Sequence, residues 1–218
     1  MSSNSRRTDV DGDDLTRPIG RNFSISWGDT PSSVAPYVPS PLNIVKKMLE
    51  LAGAGEDDVV YDLGCGDGRI LFTAVEDFNV KRAMGYELNP SMCGTIREKI
   101  NDKGLEKRIE VVNSNFFLAD LSPASLITIY LTTSGNTKLK PKFEKELRGG
   151  ARVVSHDFPI HGWTTAKPGE PIYFDESSHR IYLYRVPEAY GAEYAIKRSP
   201  DEESRWRRLR DTFLRIDR

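Results

Sequence analysis

The chain has 218 residues, 38% of them hydrophobic, enough for one globular domain with a sizeable core and short for two. A formal net charge of -1 gives no global attraction to nucleic acid or to an anionic membrane, so either partner would need a local patch. No apolar run reaches the ~18 residues of a membrane span.

The opening MSSNSRRTDVDGDDL lacks the apolar stretch of a secretory signal and carries aspartates that transit peptides avoid. The cytoplasm is the expected address. Residues 1–30 are polar and without periodicity, so a flexible tail is expected there. In PYVPSPLNIVKKMLELAGAG, Ser40 can cap a helix whose first residue is Pro41. Apolar residues recur at Leu42, Val45, Met48, Leu49 and Ala52 before GAG ends the helix.

Strands and helices then alternate. VVYDL reads as a buried strand, RILFTAVEDF as a helix, AMGYEL as a strand and NPSMCGTIREKI as a helix entered through Asn89 and Pro90. IEVVN, SLITIYLT and ARVVSHDF follow as strands, with KLKPKFEKEL between the last two as a helical stretch broken near Pro141. Such alternation predicts an α/β, Rossmann-like, doubly wound parallel sheet with helices on both faces. EPIYFD and HRIYLYRV have no helix between them and predict a C-terminal antiparallel hairpin closing the domain, taken as residues 31–186. In the extension 187–218, Trp206, Leu209, Phe213 and Ile216 fall near one face of a helix opened by Ser199 and Pro200. That stripe docks on the domain or a neighbour, or else Arg205, Arg207, Arg208 and Arg210 present a basic surface to an acidic partner.

The stretch VVYDLGCGDGRI places Gly64, Gly66 and Gly68 in the first strand-to-helix turn. In open α/β sheets this turn borders the ligand crevice, and residues without Cβ let a ligand approach the main chain. Glu87 ends the next strand about 20 residues on, where an acid in such folds accepts from ribose hydroxyls. A nucleoside-bearing ligand is therefore expected. A dinucleotide fingerprint asks for G-x-G-x-x-G, but the sixth position here is Arg69. Asp62, two residues before the first glycine, would repel a pyrophosphate but could hold the ammonium of an amino-acid moiety.

DLGCGDG followed by Glu87 resembles the S-adenosylmethionine site of seven-strand methyltransferases. The series PYVPSP, YDLGCGDGRI, NFF, YLTTSGN and RVVSHDF is similar to a group of protein-lysine methyltransferases that includes archaeal broad-specificity enzymes and mitochondrial relatives. The resemblance implies S-adenosylmethionine as cofactor, with Asp62 and the loop Gly64, Cys65 and Gly66 at its methionine end and Glu87 on its ribose. It further implies an adenine contact at Asn115 and Phe116, and Tyr37 covering the methionine end. Tyr37 reads equally as an aromatic plug on the sheet. The implied partner is a lysine-bearing protein, with nucleic acid met only through the arginine-rich end.

A lysine amine has a reference pKa of ~10.4, so presenting it neutral at pH 7 costs roughly 4 to 5 kcal/mol unless a desolvated channel lowers that value. The end of the fourth strand borders the crevice, so Tyr130 and Thr132, on one face if the segment is extended, are candidate walls or hydrogen-bond partners of the amine. Asp157, after the fifth strand, is a candidate for attracting and orienting it. Neighbouring residues of a strand point to opposite faces, so Ser155, His156 and Asp157 form no hydrolytic triad. His156, His161 and His179 have no ligand spacing, and no metal is expected. The competing functions are methylation of a small molecule or RNA, and a non-catalytic cofactor-binding module that recruits partners through its tails.

Overall fold

The structure, a computed structural model, describes residues 37–164 and 171–190. The expected N-terminal tail and the arginine-rich helix lie outside the described residues.

The fold opens with helix α1 (Leu42–Ala52), closed by Gly53 in the left-handed conformation. Its buried face, Ile44, Val45, Met48, Leu49 and Ala52, repeats at the spacing that covers one side of a helix. Strand β1 (Val59–Leu63) follows, then α2 (Arg69–Glu76), β2 (Arg82–Glu87), α3 (Pro90–Lys103) and β3 (Ile109–Asn113). Strand β4 (Leu126–Ile129), α4 (Thr133–Glu146), β5 (Arg152–His156), β6 (Phe174–Glu176) and β7 (His179–Arg185) complete the order. The described strands form one seven-stranded sheet, β3-β2-β1-β4-β5-β7-β6. The first five pair in parallel; β7 runs antiparallel to both β5 and β6. The predicted doubly wound sheet with a closing hairpin is therefore present, with β7 inserted between β5 and β6.

Two apolar layers sandwich the sheet. One is built from α1, α2 and α3 against Val60, Ala83, Val111, Leu126 and Val154. The other collects Leu63, Ile127, Ile129, Leu139, Phe143, Trp163 and Tyr184. Covering on both faces is why the central strands read as continuous apolar runs. At Gly85 an added Cβ would stand 2.6 Å from Cys65 Sγ and 2.7 Å from Leu71 Cδ1, so β2 passes directly beneath the glycine turn.

Four local expectations are corrected. Ser40 is not the cap of α1: Pro41 occupies that position without a side-chain cap, and the Ser40 hydroxyl is turned to His156. Strand β4 stops at Ile129, so Tyr130 and Thr132 do not share a strand face. Helix α4 begins earlier than expected and runs through Pro141 unbroken, anchored on either side of the proline by the fully buried Leu139 and Phe143. The domain also extends past 186, because a short 3-10 turn at Glu188–Tyr190 buries Ala189 and Tyr190, and Tyr190 Oη donates to Phe143 O.

Below the site, Arg152 ties three elements together. Its Nη1 donates to the carbonyls of Ala52 and Gly53 at the end of α1, and Nη2 pairs with Asp58, whose carboxylate also accepts from Ser125 Oγ and Gly55 N–H. Replacing Arg152 by methionine keeps much of the bulk but leaves a largely buried carboxylate without its countercharge. A loss of about 2–4 kcal/mol in urea unfolding is expected. A loss below ~1 kcal/mol, the range of exposed ion pairs, would show that solvent already screens this one.

Candidate active site

The sheet order places the switch point between β1 and β4, where consecutive crossovers wind in opposite directions and ligands settle beyond the strand carboxyl ends. The residues predicted for the site lie along this edge.

At the end of β1 the chain turns through Gly64, Gly66 and Gly68 with φ of 90°, 56° and 79°, a region that side chains disfavour. The turn is held by Gly64 N–H and Cys65 N–H, both donating to Tyr86 O. Over it lies Tyr37, whose Cε2 would stand 2.6 Å from a Cβ added to Gly66. Tyr37 remains 55% exposed, so its ring caps the loop from the solvent side rather than plugging the sheet. Arg69 secures this lead-in: Nε and Nη2 grip the Asp67 carboxylate at 2.9 and 2.6 Å, and Nη1 donates to Ser40 O at 2.7 Å.

Asp62 is buried just before the turn and accepts from Thr128 Oγ1 at 2.8 Å. Burial pushes its pKa up to about 7, against the lowering effect of the Thr128 bond and with small upward contributions from Glu87 and Asp67. Glu87 links two turns: Oε2 accepts from Gly66 N–H at 3.0 Å and Oε1 from Asn89 N–H at 2.8 Å. Beyond Glu87 stands Leu88, an apolar side chain that stays 40% exposed and that no sequence signal had singled out.

The side chains of three predicted residues are engaged within the fold. Cys65 presents its thiol to Gly85 in the core, where burial raises its pKa and keeps it neutral, so it can offer the crevice main chain alone. Phe116 is buried in the layer that holds Tyr61 and Tyr86. Thr132 caps α4, its Oγ1 accepting from Gly135 N–H at 3.2 Å, so its hydroxyl is committed to the helix. Asn115 follows β3, and its Oδ1 accepts from Phe117 N–H at 3.0 Å, which closes the short turn after that strand.

The ends of β4 and β5 meet as expected, and bring more than was expected. Tyr130 Oη donates to Asp157 Oδ2 at 3.3 Å. The Tyr130 ring lies over the His156 ring, centroids 3.8 Å apart, and the Phe158 ring centroid is 6.2 Å from that of Tyr130. Asp157 adopts a left-handed conformation, φ 57°, which turns its carboxylate back over the sheet edge. Its Oδ1 accepts from Arg180 N–H at 2.9 Å and its Oδ2 lies 2.9 Å from His179 Nδ1. Partial burial raises the Asp157 pKa, but these bonds and the nearby imidazoles outweigh it and hold the group below the usual carboxylate range. His156 is fully buried with Nδ1 2.8 Å from Ser40 Oγ and Nε2 2.9 Å from His179 Nδ1. Burial lowers its pKa to about 4, against Asp157 and with His179, so it is neutral at pH 7.

His156, His179 and Ser40 were missed as site residues because sequence spacing cannot express antiparallel register. His156 pairs with Ile181, which carries His179 to the end of β5. The main chain beyond is fixed by Asn136, whose Nδ2 donates to Phe158 O at 2.8 Å.

Among solved structures, the chain is similar to one described as an RNA methyltransferase from Salinibacter ruber in complex with S-adenosyl-L-homocysteine. The two are 35% identical with a TM-score of 0.65, over 71% of this chain and 97% of that one. This fold, its glycine turn and the acid that ends β2 define a seven-strand, S-adenosylmethionine-dependent methyltransferase. Residues 62–167 match the ANTKMT methyltransferase domain. A protein-lysine N-methyltransferase from Saccharolobus islandicus is 48% identical over 70% of this chain and 94% of its own length. The adenine nucleotide translocase lysine N-methyltransferase of Mus musculus is 30% identical over 78% of this chain and 72% of its own. The chain belongs to the methyltransferase family that contains these lysine N-methyltransferases.

Proposed function

We propose that the chain methylates the side-chain amine of lysines in a protein substrate. The observation behind this is an ionised carboxylate, Asp157, set beside the Tyr130 ring on the sheet edge that also carries the glycine turn and Glu87. An anion flanked by an aromatic face suits an arriving ammonium. The lysine substrates named for the Saccharolobus and mouse relatives support the same acceptor. Two free, buried cysteines fit a reducing compartment such as the cytoplasm. No helix among the described residues is long and apolar enough to cross a membrane.

The cradle fits S-adenosylmethionine: a loop that a Cβ would fill, a carboxylate for ribose hydroxyls, and a buried acid for an ammonium. When bound, the cofactor supplies a methyl group on a sulfonium, open to in-line attack by a neutral amine. Asp62 would hold its ammonium end, Glu87 its ribose and Asn115 its base, with Tyr37 covering the loop. Asp157 captures the incoming ammonium but, being an anion, also favours that charged form. Desolvation against Tyr130 and Phe158 works the other way and favours the amine. Asp157 therefore acts chiefly on acceptor binding, and the aromatic wall on presenting and aligning the nucleophile.

Asp157→Asn is accordingly expected to raise KM for the protein acceptor about 10- to 100-fold, the worth of one charge-assisted contact, with cofactor affinity unchanged. An unchanged acceptor KM would remove Asp157 from acceptor capture. The acceptor itself is tested by transfer of labelled methyl into a fractionated cell extract, with Glu87→Ala as control and mass spectrometry of the labelled fractions. Label on protein lysines supports the assignment, and label confined to RNA overturns it. RNA is the second reading because of the name carried by the Salinibacter relative.

A further inference from the structure

Three donor atoms converge at the end of β5. His156 Nε2 lies 2.9 Å from His179 Nδ1, His179 Nδ1 lies 2.9 Å from Asp157 Oδ2, and the third side of the triangle measures 3.4 Å. Ligand bonds of ~2.0–2.2 Å, at angles between a right angle and the tetrahedral angle, separate donor atoms by roughly 2.8–3.6 Å. The triangle has that size.

Hydrogen bonding alone leaves the cluster under-satisfied. His179 Nδ1 has one in-plane position, filled by a hydrogen or a lone pair, yet it faces two partners at equal distance. The arrangement that avoids opposed hydrogens has His156 donating from Nδ1 to Ser40 Oγ, so that Nε2 presents a lone pair. One proton on His179 Nδ1 is then shared between that lone pair and the carboxylate. A cation in its place would meet all three lone pairs at once. The outer contacts suit such a site: Ser40 Oγ orients His156 through its other ring nitrogen, and Arg180 N–H and Tyr130 Oη orient the carboxylate. His156 is buried, whereas Asp157 and His179 are part exposed, which leaves a side open to water.

We propose that His156, Asp157 and His179 form a binding site for a first-row divalent transition metal ion, and that the ion competes with the substrate amine for the Asp157 carboxylate. Two imidazoles and one carboxylate select zinc, nickel or cobalt over magnesium or calcium, which prefer all-oxygen ligands. The competition rests on the acceptor assignment above; the site itself does not.

Cobalt(II) provides a readout independent of methyl transfer. Titrated into the metal-free full chain, it should give one saturable visible band per chain, with affinity reduced tenfold or more in Asp157→Asn and His179→Ala and unchanged in His161→Ala, which alters an exposed histidine. Asp157→Asn keeps the shape and left-handed tolerance of the native residue, so a loss there with an unchanged thermal melt is not a folding defect. Absence of the band, or a band that persists in both variants, overturns the site. In the methylation assay, the ion should raise KM for the protein acceptor without weakening S-adenosylhomocysteine binding. Saturable cobalt binding with an unchanged acceptor KM overturns the competition while the site stands. If no protein acceptor is methylated at all, the lysine assignment fails and the cobalt band still decides the site.

Discussion

Glu87→Ala is expected to weaken S-adenosylhomocysteine binding about 100-fold or more. In the structure its two carboxylate oxygens accept from Gly66 N–H and Asn89 N–H, so one side chain holds the glycine turn against the entrance of α3. The remaining lone pairs are where ribose hydroxyls would be received. Hydrogen bonds to a charged acceptor contribute roughly 1.5–3 kcal/mol each, and two lost together correspond to about two or more orders of magnitude. Glutamine is no remedy. Either orientation of its amide turns an NH2 group toward one of the two backbone donors, so Glu87→Gln should fall near Glu87→Ala rather than near the wild type. Calorimetric titration with S-adenosylhomocysteine checks this. A dissociation constant within about threefold of wild type would mean that the ribose is held elsewhere.

Asp62→Asn should move fold stability and cofactor binding in opposite directions. Its pKa, near 7 in the folded chain against an ordinary value of 3.8, means that the fold retains a proton the unfolded chain has released between about pH 4 and 7. Stability therefore falls as pH rises through that window, and above it the buried charge costs of order 4 kcal/mol. The amide carries no charge, keeps an acceptor for Thr128 Oγ1, and should raise the thermal midpoint at pH 8 while flattening this pH dependence. Cofactor binding goes the other way, because an ammonium beside Asp62 favours the ionised carboxylate. In the wild type, affinity should drop by up to tenfold for each pH unit below 7; in Asp62→Asn it should be weak at every pH and lose this slope. Thermal melts and binding titrations at pH 5.5 and 8 separate the two effects. A variant that is destabilised at pH 8 would show that the carboxylate is a structural acceptor.

How far the site could be read from sequence varied with the kind of contact. The glycine turn and Glu87 were legible because both are local: each ends a parallel strand, and the fold class fixes which strand ends are neighbours. That the side chains of Cys65 and Phe116 are buried was not legible, because an apolar residue beside a binding loop can face either the crevice or the core, and alternation fails where the chain leaves the strand. Thr132 was misplaced for a related reason. Strand β4 is only four residues long, and a threonine just before a helix satisfies its N–H groups before it serves any ligand.

By itself, the sequence determined the alternation of strands and helices, the closing hairpin, and the glycine turn with Glu87 one strand further on, since each follows from periodicity or from spacing within one crossover; the cofactor class followed from the family resemblance that these motifs carry. Tertiary structure alone decided that Asp157 turns back through a left-handed residue onto Tyr130, and that His156 meets Ser40 from before α1 and His179 from β7. Those contacts join residues up to 116 positions apart. Their geometry depends on strand register and on the packing of α1 against β5 and β7, which no local pattern of residues encodes.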